Sequence, residues 1–304
     1  MAVPNVAISE NFGDLLDARF RKIYQSEYKE AIDESMIPML FKVMSQSSGA
    51  DYRVSGIGGM GDIPTFDGSI TYDSFSQLYD KTITFPEYAL GFKVERKLAD
   101  DDLFGIMDQK PAQLAVSVAR TREKAAAAVF NTAFTSTDNA DGVALCSSSH
   151  PYSPDDSTTI DNAGTSALSA VSVEATRRIG LTSIFNDRGE IADVNYDTLL
   201  VPVNLEETAY EIINSKGKVD TANNNQNFHY GRYKLAVWRR LTDSKSWFFI
   251  DSGLIKQFLY WIDRVKPEFK NDRDFDTMMA KWSVYMRFGV GSADWRFIYG
   301  HLVA

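Results

Sequence analysis

The chain has 304 residues and a formal charge of -9, from 32 basic and 41 acidic side chains. It is 44% hydrophobic with 14 Tyr, 19 Phe and 5 Trp, enough apolar surface to exclude disorder of the whole chain. A single cysteine excludes an internal disulfide framework, and no run of about 18 apolar residues exists to span a bilayer.

Length gives a prior of one large core or two modest ones. The opening Met1-Ala-Val-Pro-Asn lacks a basic segment followed by an apolar one, so no secretory signal is expected. Lys and Arg are scattered, the densest groups being Arg239-Arg240 and Arg177-Arg178, which disfavours a grip on phosphates. An acidic chain can still enclose DNA without adhering to it, but most bacterial enzymes have the same balance.

In chain order, Phe12, Leu15, Leu16, Arg19, Phe20, Ile23 and Tyr24 predict an amphipathic helix over 9–30, with Ser9 as its cap. So short a segment must dock on its own chain or on a neighbour. The period then changes to two: 70–75, 81–85 and 88–95 alternate apolar and polar residues, as strands with one wet face do. A two-stranded ribbon is marginal in water, so it needs a surface to lie on.

Residues 110–134 give the strongest helix signal. Pro111 suits the first turn, and Gln113–Phe134 holds neither Gly nor Pro. Leu114, Val118, Ala125 and Val129 mark its apolar face; Arg120, Arg122, Glu123 and Lys124 are expected on the polar side. A polar zone over 135–170 follows, with a short strand expected at Gly142-Val-Ala-Leu-Cys.

From 171 to 279 helix and strand alternate. Expected are a helix near 172–185, a strand at 198–203, a helix capped by Asn204, a polar loop over 214–231, strands at 233–238 and 246–250, and a helix over 253–263. The end predicts two strands. Val284, Met286, Phe288 and Val290 alternate, then Trp295, Phe297 and Tyr299 do, with Gly291-Ser-Ala-Asp as the hairpin turn between them.

No catalytic, cofactor or metal site is expected. Cys146 and His150 are four apart on an irregular loop, which does not fix a nucleophile–base pair; a buried Cys and a surface His explain them better. Zinc needs close Cys and His pairs, and His150, His229 and His301 are dispersed. Asp100-Asp-Asp102 could hold a hard cation but reads as a solvated turn. Gly56-Ile-Gly-Gly-Met-Gly61 lacks the helix that a phosphate loop requires and reads as flexibility in the ribbon. Glu206 and Glu207 are adjacent on a helix and suit its dipole instead of a catalytic pair. Trp238, Trp247, Trp261, Trp282 and Trp295 read as core or interface anchors.

The order of parts, from arm through ribbon, long helix and mixed α/β region to final strands, resembles the HK97-like fold of tailed-phage major capsid proteins. Leu199-Leu-Val-Pro-Val-Asn-Leu-Glu-Glu-Thr-Ala, Asn223-Asn-Asn-Gln-Asn, Trp247-Phe-Phe-Ile-Asp and Lys281-Trp-Ser-Val-Tyr-Met-Arg-Phe-Gly-Val-Gly-Ser-Ala-Asp-Trp-Arg-Phe-Ile-Tyr-Gly are similar to the Mu-like prophage major head subunit group. The likeness covers roughly 105–303, and the arm and ribbon by layout only.

The resemblance implies an α+β fold with an N-terminal arm at 1–45 and an extended loop at 46–98 lying over an adjacent subunit. It implies a peripheral domain at 99–164 carrying a spine helix at about 110–134, an axial domain at 165–279, and a peripheral C-terminal hairpin at 280–304. It also implies pentamers, hexamers and an icosahedral virion shell around double-stranded DNA. Portal and scaffold or decoration proteins would be partners, assembly would occur in host cytoplasm, and neither membrane nor cofactor would be involved. The alternatives are a nanocompartment shell protein of the same fold and, from a different class, a cytoplasmic α/β enzyme.

Overall fold

A computed structural model describes residues 12–74, 76–95, 106–217, 225–274 and 279–304. Ser9, the Asp100–Asp102 run and Asn223-Asn224 lie outside the described residues.

The helices come first in the logic of the fold. Helix α1 spans Phe12–Asp33, and a short α2 spans Ile37–Leu40. Helix α3, Gln109–Asn131, is the beam; at ~1.5 Å per residue it is roughly 35 Å long. It buries more than one stripe: Leu114, Ala115, Val118, Ala119, Ala126, Ala127 and Phe130 are all inside. Arg122, expected on the polar side, is buried as well. Helix α1 docks on its own chain, with Phe20 5.0 Å from Trp282 and Tyr24 4.9 Å from Phe269, ring centre to ring centre. The arm helix is thus docked on its own body.

Four strands form the sheet under these helices. They are β1 (Lys42–Ser45), β4 (Glu87–Glu95), β11 (Leu259–Asp274) and β12 (Met279–Ser292), in the order β1-β11-β12-β4. β1 runs parallel to β11, and the other pairs are antiparallel. On β12, Trp282, Val284, Met286 and Phe288 are buried at every second position, as the alternation predicts.

Two expectations fail here. The helix expected over 253–263 is only one turn, α6 (Ile255–Phe258), before β11 begins. Its neighbours Leu259, Tyr260, Trp261 and Ile262 are all buried because both faces of β11 are covered, and a continuous apolar run does not separate strand from helix. The hairpin expected at Gly291–Asp294 does not form either. The long hairpin is β11–β12, and the chain after Ser292 crosses to another sheet.

That second sheet has the order β7-β13-β10-β8-β9. Its strands are β7 (Ala163–Gly164), β8 (Thr198–Val201), β9 (Lys234–Val237), β10 (Trp247–Ile250) and β13 (Ile298–His301). Helix α4 (Ala170–Thr182) starts at a capping box in which Ser169 Oγ accepts from Ser172 N–H and Ser172 Oγ from Ser169 N–H. Helix α5 (Glu206–Asn214) buries Ala209, Ile212 and Ile213. Asn204 does not cap it through its side chain; it lies inside the 3-10 turn Val203–Leu205 that leads into the helix. The polar loop is closed at its base, where Asn227 Nδ2 donates to Ile212 O at 2.7 Å and Ser215 O at 2.8 Å.

The expected strand at 142–146 is absent. Those residues are irregular, and β5 (His150–Ser153) pairs instead with β6 (Asp156–Ile160). The ribbon proper is β2 (Asp51–Ile57) with β3 (Gln77–Thr84); residues 70–74 are not a strand.

Candidate assembly surface

The ribbon is packed on the body at its root, and the loop beyond its far end is bare. Trp261 and Phe288 point from β11 and β12 toward α3, with rings stacked 4.6 Å apart. The opposite face carries Tyr260 and Ile262, as strand alternation demands. There they form a small second core with Ile83 and Phe85, against which Met44, Tyr52 and Val54 pack. The glycines of β12 make room for this contact. A Cβ on Gly289 would lie 2.5 Å from Thr84 O, and one on Gly291 would lie 2.7 Å from Ile83. Lys81 is buried and pairs with Asp138 Oδ1 at 2.5 Å.

Away from this anchor the apolar side chains lose their cover. Ile57, Met60, Ile63, Phe66, Ile70 and Tyr72 are all exposed, Ile63 at 97% and Tyr72 at 87%. Asp67 Oδ1 accepts from Ser69 N–H at 3.3 Å, and Gly68 at φ +109° turns the chain beside Phe66. A run of exposed apolar side chains of this kind marks an interaction surface. On the other side of the body, between β4 and α3, a groove of about 350 Å³ is lined by Tyr88, Leu90, Val118, Thr121, Val284 and Met286.

The Cys–His pair considered from the sequence does not come together as a reactive site. Cys146 is wholly buried, and burial pushes its thiol far up. His150, expected at the surface, is fully buried; its Nδ1–H donates to Asp141 Oδ2 at 2.6 Å and its ring stacks 4.3 Å from Trp295. His229 holds Ala170 O at 3.1 Å, and its pKa is lowered chiefly by burial. Ser166 N–H donates to His301 Nδ1 at 3.3 Å, so Nε2 carries the proton toward Thr176 Oγ1 at 2.8 Å. Burial holds the His301 pKa down to about 4.

Among the described residues, no group of three or more His, Cys, Asp or Glu is placed to hold a metal ion, and no helix is long and apolar enough to cross a membrane. Glu206 and Glu207 sit in the first turn of α5 as helix electrostatics predicts. All five tryptophans are core anchors. The 56–61 glycines are followed by extended chain, not by a helix. Gly58 is glycine for close approach, since a Cβ there would stand 2.7 Å from Asp187 Oδ2. Sequence reasoning missed Asp187 and Arg188, which bind the ribbon's far end; Asn186-Asp-Arg-Gly reads only as a turn.

A folded body with a projecting, apolar-tipped ribbon defines a subunit made to contact other proteins. A sequence profile of the family described as phage capsid protein matches residues 79–300. That is most of the chain, and the chain belongs to this phage capsid protein family. No curated protein matches it in sequence.

Among solved structures, the mature capsid of bacteriophage PhiM1 is similar with a TM-score of 0.61 at 10% identity, over 89% of this chain and 87% of that one. The capsid of cyanophage P-SCSP1u gives 0.59 at 11% identity, over 89% and 88%. The virus-like particle from Pyrococcus furiosus gives 0.54 at 9% identity, over 94% and 98%. The fold is therefore the expected HK97-like α+β capsid fold. The protein is a structural component of a phage virion, a shell subunit and not an enzyme, and its partners include further copies of itself.

Proposed function

We propose that this chain is the major head subunit, whose copies form pentamers and hexamers and close an icosahedral shell around double-stranded DNA. The narrower likeness to the Mu-like head group belongs to this reading. Assembly takes place in the host cytoplasm, with a portal and scaffold or decoration proteins as partners, and DNA is enclosed without sequence-specific contacts. The net charge of -9 suits a wall that does not adhere to its cargo.

The observation that carries the reading is the exposed apolar stretch from Ile57 to Tyr72. The groove at Tyr88–Leu90 suits it chemically, but the two lie at opposite ends of β3. Eight residues of strand at ~3.3 Å separate them by roughly 26 Å. In this reading the loop of one copy meets the groove of another, and such head-to-tail contacts close into rings when the rotation closes. Residues 46–98 are the extended loop of this reading and 1–45 its arm.

Sheet membership supports redrawing the outer boundaries. The peripheral domain takes 99–162 together with the β11–β12 hairpin, and the axial domain takes the five-stranded sheet, including β7 and β13. The test is negative-stain imaging of the purified chain with nuclease-protected nucleic acid measured in the particles. Closed shells holding DNA are expected from phage-infected or induced cells; a chain that stays monomeric at all concentrations overturns the proposal. The nanocompartment alternative draws on the likeness to the Pyrococcus furiosus particle and predicts shells with enclosed protein and no nucleic acid.

A further inference from the structure

The far end of the ribbon is gripped by one tight turn of the body. Asn186 N–H donates to Glu190 O at 2.8 Å, and Ala192 N–H to Ile184 O at 2.8 Å. Gly189 at φ +79° makes the reversal, and Asn186 Oδ1 accepts from the N–H groups of Arg188 and Glu190. Arg296 Nε donates to Phe185 O at 2.8 Å and ties this small hairpin to the body.

Its tip meets both segments that leave the ribbon. The Asp187 carboxylate accepts from Gly59 N–H at 3.1 and 3.2 Å. Arg188 donates to Gly59 O at 3.2 Å, to Asp73 Oδ2 at 3.1 Å and to Ser74 O at 3.2 Å. Asp73 Oδ2 also accepts from Gly61 N–H at 2.9 Å. Backbone hydrogen bonds from Gly61 and then Ser74 hold the Asp73 carboxyl below the usual range. Among the described residues, no hydrogen bond or ion pair from 62–72 reaches the body; the bonds there are local, between Asp67 and Ser69. The loop is therefore charged and tied at its base, apolar and bare beyond it.

We infer that the Asp187–Arg188 tip is a positioning site for self-assembly, fixing the direction of the 60–72 loop so that its apolar side chains meet the next copy. This rests on the shell reading above. A loop hinged only at Ile83–Phe85 samples many directions, and ordering it on docking costs free energy at every contact. One surface ion pair is weak. Arg188 acts through a rigid planar fork that reaches acceptors on both segments, so it fixes geometry more than it adds stability.

The test uses the full chain with Arg188→Ala, Arg188→Glu and Asp73→Asn. Unfolding midpoint, limited proteolysis of the unassembled chain and assembly by light scattering are measured at matched concentration. Arg188→Ala and Asp73→Asn are expected to unfold like the parent, to be cut faster within 60–72, and to assemble at least fivefold more slowly or into malformed shells. Arg188→Glu is expected to be slower still. Arg188→Ala with unchanged cleavage, or with assembly at the parental rate or faster, overturns the inference. A parent that assembles beside unaffected variants rejects only the positioning role; a parent that forms no particle rejects the shell reading and the inference together.

Discussion

Arg122 and Asp263 meet inside the body, with Nη1 2.7 Å from Oδ1 and Nη2 3.1 Å from Oδ2. Trp261 Nε1 donates to the same carboxylate at 3.1 Å, and the guanidinium lies 4.9 Å from the Trp261 ring centre. The pair joins the beam helix α3 to strand β11 across more than a hundred residues of sequence. Removing one partner leaves a buried charge alone. Arg122→Ala should cost about 3–5 kcal/mol, measured by denaturant unfolding. A loss under about 1 kcal/mol would show that water reaches the site.

Acid should weaken the fold through His301. Its pKa is about 4 when folded, against about 6.5 in an unfolded chain. The unfolded state binds the proton first as pH falls, so stability is full above pH 6.5 and is lost between 6.5 and 4. The loss reaches about 3 kcal/mol at the lower end. A His301→Gln variant should show a flatter stability profile over that window, and an equal slope would exclude His301 as the source.

The exposed loop should matter for assembly and not for folding. Ile63→Ser combined with Phe66→Ser removes apolar groups that have no cover in the monomer. Its unfolding free energy should lie within about 0.5 kcal/mol of the parent, while particle formation is lost. Deleting 50–85 should likewise prevent assembly, but it also removes Ile83 and Phe85 and uncovers Tyr260 and Ile262, so it should cost stability as well. Normal shells from either variant, seen by electron microscopy, would contradict the assigned surface.

Gly289→Ala should loosen the ribbon at its root. The added methyl meets Thr84 O and Ile83 at distances no real Cβ adopts, and overpacking of this kind costs typically about 1–3 kcal/mol. Faster hydrogen exchange at Gln77–Thr84 would report it; unchanged exchange would show that β3 shifts without harm.

Cys146 should ignore thiol reagents until the chain unfolds, because it is buried and its thiolate is strongly disfavoured by burial. Labelling of the native protein at the rate of a free thiol would refute this.

The beam helix, the alternation along β12 and the alternation of 88–95 were legible because each follows one period over many residues. What was not legible depended on distant partners. Arg122 read as a polar-face residue because nothing local announces Asp263. The apolar run at Leu254–Ile262 fitted a helix because the ribbon, more than a hundred residues earlier in the sequence, covers the second face of β11. The closing turn at Gly291–Asp294 had hairpin chemistry, yet the chain switches sheets there. His150 read as exposed from a polar neighbourhood, and the carboxylate that buries it, Asp141, lies in the irregular segment before it. For the assembly surface, the sequence revealed the ribbon, while the grip of Arg188 on Asp73 joins segments more than a hundred residues apart.

Among the described residues, β1 pairs with β11 alone and β4 with β12 alone. The five-stranded sheet likewise waits for β13 to join β10 to β7. Neither sheet can close until synthesis has passed β12 and β13. A nascent chain that lacks these strands cannot offer a finished building block for polymerisation.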